Sequence, residues 1–240
     1  MADIPITIDI GSNSIVNDFM YGSNVAKSHI HIRMGFIRKV YGILTAQLFL
    51  TTIVAATSMF TPLVRFYINE NEWMVLVAFL LSIILLLALM IKRRETPLNY
   101  ILLTAFTAVE AYSVAVIVTF YDQLAVLQAF FLTFCVTVCL TIYSFQSKYD
   151  MSSWGASLFS MLFVLCIASI LQMFIGSSQM EMLLSIAGAI LFSIFIIYDT
   201  HMIMHRVSPE EYIMASIDLY LDIINLFVHL LRILGHSRKG

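Results

Sequence analysis

Apolar positions in this chain come in long blocks rather than in alternation, and polar positions collect between the blocks. Val40 to Val64, Trp73 to Ile91, Gln123 to Ser147 and Met151 to Met180 hold no charged residue, and Thr96 to Tyr121 holds only Glu110. Met182 to Tyr198 is uncharged up to Asp199, and a last block, Ile213 to Leu234, carries Asp218 and Asp222. At about 1.5 Å per residue each block is long enough, or nearly so, to cross ~30 Å of hydrocarbon. Backbone that faces lipid must satisfy its own hydrogen bonds, which predicts helices. The alternating polarity of barrel strands is absent. The expected fold is an all-α membrane protein, either a seven-helix bundle or six spans plus a re-entrant last segment.

Residues 1–34 are mixed and polar, with "GSNS" and "YGSN", and read as a flexible cytosolic segment. A single multi-pass helical domain is expected over 35–240. Its connections are short and marked by breakers or charge, as in "KRRETP" at 92–97, "QSKYDMSS" at 146–153 and "HRVSPEE" at 205–211. Ser208-Pro209-Glu210-Glu211 suits the start of the last helix: Ser caps, Pro fits the first turn, and the acids face the positive end of the dipole. Lys27, Arg33, Arg38 and Lys39 precede the first helix, and Lys92, Arg93, Arg94, Lys148 and Arg206 fall in even-numbered connections. Arg65 stands alone in the odd ones, so the positive-inside rule puts the N-terminus in the cytosol. Arg232, Arg238 and Lys239 pull the other way: seven crossings would leave them on the far side, and a re-entrant last segment would return them to the cytosol.

Composition narrows the class further. The chain is 60% hydrophobic and 12% charged, with a mean hydropathy of +0.92. Soluble domains are about a quarter charged, so lipid is the solvent here. A net charge of −2 without a basic patch or aromatic ladder excludes nucleic acid as a partner. Cys135, Cys139 and Cys166 lie inside apolar blocks and read as buried thiols that pack as small hydrophobes.

The last block raises the chemical question. Asp218, Asp222, Asn225 and His229 advance by four, three and four, which places them on one helix face. An Asp at the bilayer centre costs about 2.5–3.5 kcal/mol on insertion scales, so this face must look into the bundle or a wet cavity. Asp199 closes the preceding block, and antiparallel neighbours with a short loop bring it towards Asp222. Two carboxyls that meet in low dielectric do not both ionise readily. Sharing a proton, they latch two helices; without it, they present oxygens to a divalent cation. Calcium takes six to eight oxygens, of which Asp199, Asp222, Asp218 and Asn225 are candidate donors. Glu110 either lines the same cavity or hydrogen-bonds as a neutral acid. Asp199, His201 and His205 lie close in "DTHMIMH", but a third convincing metal ligand is lacking.

"FIIYDTHMIMHRVSPEEYIMASIDLYLDIINLFVHLLRIL" (195–234), with its "YDT" and "LYLDIINLF" elements, resembles the signature of the transmembrane Bax inhibitor motif family. "HIRMGFIRKVYGIL", "VTFYD" and "LQAFFLTFCVTVCLTIYSFQSK" extend the likeness over nearly the whole chain, towards the Golgi, Lifeguard-type branch with cellular and virus-encoded members. The resemblance implies residence in Golgi and related membranes, the endoplasmic reticulum included, with suppression of cell death, lowered store calcium and cation conduction. It also implies a central last helix and a pH-sensitive calcium-leak gate, formed by aspartates that fall on Asp199 and Asp222. Glu210, in "SPEE", is a further acid implied for conduction. Asp218 departs from the family pattern, where a small residue is usual.

The leading expectation is thus a non-enzymatic, cation-conducting protein with no cofactor beyond a calcium ion. Its partners are membrane lipid, calcium or other cations, and further copies of itself. The alternative is a non-conducting regulator that binds an inositol trisphosphate receptor or a cell-death protein. An intramembrane aspartyl protease is disfavoured, because "LYLD" lacks the glycines that such enzymes place before the second Asp. A retinal receptor is disfavoured because the last block has no lysine for a Schiff base.

Overall fold

The computed structural model describes residues 30–71, 73–147 and 149–237. Of the N-terminal segment expected to be flexible, residues 1–29 lie outside this set, as do Lys148, Arg238 and Lys239. The first apolar block folds as α1 (Ile30–Phe60), which starts ahead of the block itself, followed by a short α2 (Pro62–Glu70). Thr61 is extended, with φ −105° and ψ 105°, and Pro62 opens the new helix because it cannot continue the old one. Then come α3 (Trp73–Lys92), α4 (Leu98–Thr119) and α5 (Gln123–Gln146). A 3₁₀ turn at Ser152–Trp154 leads into α6 (Gly155–Ile175). Gly176 ends α6 in the left-handed region at φ 64°, where a side chain would be strained. The Ser177 hydroxyl then accepts from the Met180 N–H and caps α7 (Ser178–His205). Last is α8 (Tyr212–Ser237), entered through a 3₁₀ turn at Pro209–Glu211. Ser208 makes no side-chain cap bond there; its carbonyl instead accepts from the Glu211 N–H at 2.9 Å.

Among the described residues six helices are long and apolar enough to cross a membrane: α1, α3, α4, α5, α6 (with its leading 3₁₀ turn) and α7. The eighth, α8, is one unbroken helix of 26 residues, about 39 Å long. It runs antiparallel to α7 over the full length of that helix. Asp222 meets Asp199, His229 lies against Gly188, and the His236 ring faces the Ser178 hydroxyl at 3.4 Å. α8 thus lies along α7 as one continuous rod with no hairpin in it, and it is not among the six helices apolar enough to cross by length and composition.

The last helix is also the innermost. It packs against α7, α5, α1 and α4, and Ile213, Ile217, Leu219, Tyr220, Leu226 and Leu231 on it are at most 2% exposed. The peripheral α3 buries only Ala78 and Leu89, and α6 only Leu158 and Leu165. Outward positions are apolar, with Phe49, Ile84, Phe131 and Phe163 exposed to what is lipid in the membrane. Cys135, Cys139 and Cys166 are exposed too, which corrects the expectation of buried thiols. In a hydrocarbon solvent an apolar thiol has no need of a core, so the apolarity of its block does not tell inside from outside.

Lipid removes the hydrophobic drive between spanning helices, and close approach and polar contacts take its place. A Cβ added at Gly188 would overlap the His229 ring, and one at Gly155 would come within 2.6 Å of the Tyr198 hydroxyl. Gln47 of α1 donates to Thr107 of α4 at 3.1 Å, and Thr51 of α1 bonds Tyr220 of α8 at 2.8 Å. Ser144 of α5 donates to the Ile197 carbonyl of α7 at 3.0 Å.

The start of α1 and the α3–α4, α5–α6 and α7–α8 connections gather at one end, here the basic end. There Glu211 pairs with Arg93 at 3.0 Å and Arg94 at 2.6 Å, and Lys39 Nζ lies 3.3 Å from the centroid of the Tyr212 ring. Arg206 pairs with Asp150 at 3.3 Å. The Ser152 N–H, donating to Asp150 at 2.9 Å, holds that carboxyl below its usual range. At the opposite end Arg65 donates to the Thr119 carbonyl at 2.8 Å.

Two consequences are measurable in detergent-solubilised protein. Gly188→Leu forces the His229 ring off α7 and should destabilise the bundle by about 1–3 kcal/mol, read as a clear drop in Tm; an unchanged Tm would contradict the close packing. Arg94→Glu should lower Tm by a few degrees, and the exchange Arg94→Glu with Glu211→Arg should recover only part of the loss, because it sets an arginine at 211 against Arg93.

Candidate functional site

Asp199 lies six residues before the end of α7, and Asp222 ten residues into α8. At 1.5 Å per residue both sit roughly 9 to 15 Å from the connection, in the half of the bundle nearer the basic end. The two helices are antiparallel neighbours joined by residues 206–211, so the acids arrive at the same depth. Their carboxyls come within hydrogen-bonding reach of each other. A carboxyl–carboxyl bond needs one proton between the two groups, since an ionised carboxylate only accepts. Asp222 is 6% exposed, and its Oδ2 has no other hydrogen-bond partner in the protein. The hydroxyl of the next residue after Asp199, Thr200, is turned to Tyr41 of α1. The pair therefore has oxygen lone pairs to spare.

Asp218 lies one turn nearer the basic end on the same helix. It is exposed although its helix is the innermost one, and it is near enough to Asp199 to feel that residue's charge.

The other sequence candidates are placed elsewhere. Asn225 turns its amide back onto the Leu221 carbonyl at 2.8 Å, so it braces α8 rather than completing an oxygen shell around the pair. Glu110 bonds Ser82 in the α3–α4 hairpin. The Ser82 hydroxyl is the donor, which either protonation state of Glu110 accepts. Glu210 is at the surface of the basic end, 3.5 Å from Arg94. His229 stacks on Phe192, with ring centroids 5.6 Å apart. His201 and His205 stack on each other at 4.4 Å. Among the described residues no three His, Cys, Asp or Glu side chains cluster as metal ligands. Two carboxyls suit a hard cation in kind and fall short of six to eight oxygens in number.

Two contacts were not anticipated. Glu211, rather than Glu210, holds both arginines of the α3–α4 connection, and Tyr220 ties the central helix to α1 two residues from Asp222. The opposite charges of "KRRE" and "SPEE" carried a signal for the first. For the second there was none, because a tyrosine in an apolar block reads as packing.

Comparison with known proteins adds the context. Residues 33–239 match the family model Bax1-I, "Inhibitor of apoptosis-promoting Bax1". Protein lifeguard 4 of Mus musculus is 50% identical over 227 residues, covering 95% of each chain. The Golgi anti-apoptotic protein of Vaccinia virus (strain Lister) is 47% identical over 227 residues, 95% of this chain and 96% of the viral one. Bax inhibitor 1 of Schizosaccharomyces pombe is 39% identical over 224 residues, 93% of this chain and 84% of the yeast one. With a helical membrane bundle and a match across almost its whole length, the chain belongs to the Bax inhibitor family of multi-pass membrane proteins.

Proposed function

We propose that this chain is an anti-apoptotic protein of the Golgi membrane, and of the endoplasmic reticulum, that leaks calcium or other cations from the store to the cytosol under the control of the Asp199–Asp222 pair. What supports this reading is the contact of two buried carboxyls on adjacent helices, with a spare oxygen on Asp222. The names of the mouse and viral relatives support the anti-apoptotic role and the Golgi residence. The excess of Lys and Arg at the basic end supports a cytosolic N-terminus.

In this reading the bonded pair is the closed state. One carboxyl O–H donates to the other carboxylate, and α7 and α8 are held together at that depth. Loss of the shared proton leaves two like charges in low dielectric, which repel and open the contact. The freed carboxylates then face a passing cation, and the exposed Asp218, one turn nearer the basic end, offers it a further carboxyl. The small oxygen count is in keeping with cargo rather than a resident ion, because conduction needs sites that bind weakly enough to release. Since opening requires proton loss, leak rises with pH and falls on acidification.

The test is calcium efflux from vesicles holding the purified full chain. Wild type should leak several-fold faster at about pH 8 than at about pH 6. Asp222→Asn keeps a neutral hydrogen bond to Asp199 at every pH, so its efflux should lose that dependence. A wild-type rate equal to that of empty vesicles would refute conduction and favour the regulator that acts through another protein. Normal pH dependence in Asp222→Asn would refute the assigned gate.

A further inference from the structure

We propose that the groove between α1 and α5 is a binding site for one phospholipid acyl chain, taken from the leaflet opposite the basic end and seated against the central helix. α1 and α5 flank α8 but leave a gap between them, with a cavity volume of ≈ 670 Å³. That lies in the range of ligand sites, about 300–1,000 Å³. The floor is α8 itself, through Ile223, Ile224 and Phe227. Ile224 and Phe227 are only half-buried although their helix is the innermost one, and the groove is what exposes them.

Depth, length and lining chemistry agree on the occupant. On α1 the groove runs from Thr45 to Phe60, about 22 Å of helix. One leaflet's share of the hydrocarbon is about 15 Å, so the groove reaches from the surface past the midplane. Its outer end lies at Phe60 and Gln123, by the α4–α5 turn, and this is the end away from the basic loops. The exposed Gln123 amide and Asp122 provide polar company for an ester and headgroup at that mouth. Further in, the lining contains several threonines, which would suggest a wet path if their hydroxyls were free. They are not: Thr45 donates to the Tyr41 carbonyl, Thr52 to Leu48 and Thr133 to Ala129, at 2.7, 2.8 and 2.7 Å. Each hydroxyl is spent on its own helix, and the remaining wall is aliphatic and aromatic. Thr137, at the inner end, is the exception, with an unpartnered hydroxyl.

A surface of this kind repels an ion or a water file. Left empty, its lining would forfeit dispersion contacts on one side. Hydrocarbon from the adjacent bilayer supplies them, and the lateral opening admits it directly. The site is separate from the acid pair, which faces α7, yet Ile223 follows Asp222 in the chain. An acyl chain in the groove therefore packs on the opposite side of α8 from the pair and limits how far α8 can move away from α7.

The experiment uses the full chain in phosphatidylcholine vesicles that contain a phosphatidylcholine with a diazirine on its acyl chain. After photolysis, adducts are mapped by peptide mass spectrometry. The site predicts adducts on the α8 peptide that contains Ile223, Ile224 and Phe227. Ala56→Trp, which fills the groove, should reduce them at least about five-fold relative to adducts on the outer face of α3 at Leu80 and Ile84. Thr52→Trp serves the same purpose if Ala56→Trp does not fold. Adducts confined to the outward faces of α1 and α5 would overturn the proposal. So would α8 adducts that persist in both filled variants, or cross-links joining these faces of two copies.

Discussion

A carboxyl group has no good place in hydrocarbon, and this chain places two of them on neighbouring helices. Hydrocarbon offers neither water nor a countercharge, so the acids of α7 and α8 must find each other. Their contact joins α7 and α8 at the depth they share. It requires α8 to turn its ionisable edge towards α7, and it therefore requires other helices to cover the remaining faces of α8. The central position of the last helix follows from this chemistry as much as from its leucines and isoleucines.

Covering α8 uses two kinds of contact. Where helices touch closely, small residues make room: Gly188 accepts the His229 ring and Gly235 accepts Tyr121. Where side chains would otherwise strand a polar group, short hydrogen bonds cross between helices, as from Gln47 to Thr107 and between Thr51 and Tyr220. At the basic end the material is different, because water is present. Glu211 and the arginines of the α3–α4 connection hold the α7–α8 turn in place, and Lys39 lies over the ring of the first residue of α8. The same helix is thus fixed by packing at depth and by charge at the surface.

Much of this fold is legible in the sequence because lipid imposes a simple rule on length and polarity. The blocks from Trp73 to Ile91 and from Gln123 to Ser147 return as α3 and α5 within a residue or so at each end. The rule fails where local chemistry interrupts it. Pro62 cuts the first block into two helices, and Gly176 ends a helix inside the fifth, so that α7 begins earlier than its charge pattern suggests. It fails again on direction: an apolar residue reads the same facing lipid or protein, which is why Cys135, Cys139 and Cys166 were assigned to the interior. Among the acids, depth was readable from antiparallel geometry, so Asp199 and Asp222 fall level. Side-chain partners were not readable, and Asn225 and Glu110 turn to a carbonyl and a hydroxyl close by.

The burial of α8 also bears on the birth of the molecule. Ribosomes deliver helices in order, and the segment made after the six apolar spans is the one that ends in the middle of them. Its two aspartates make it a poor candidate to enter the bilayer alone. In the finished bundle the helices made earlier surround it on several sides, so the chain's centre is the part synthesised last.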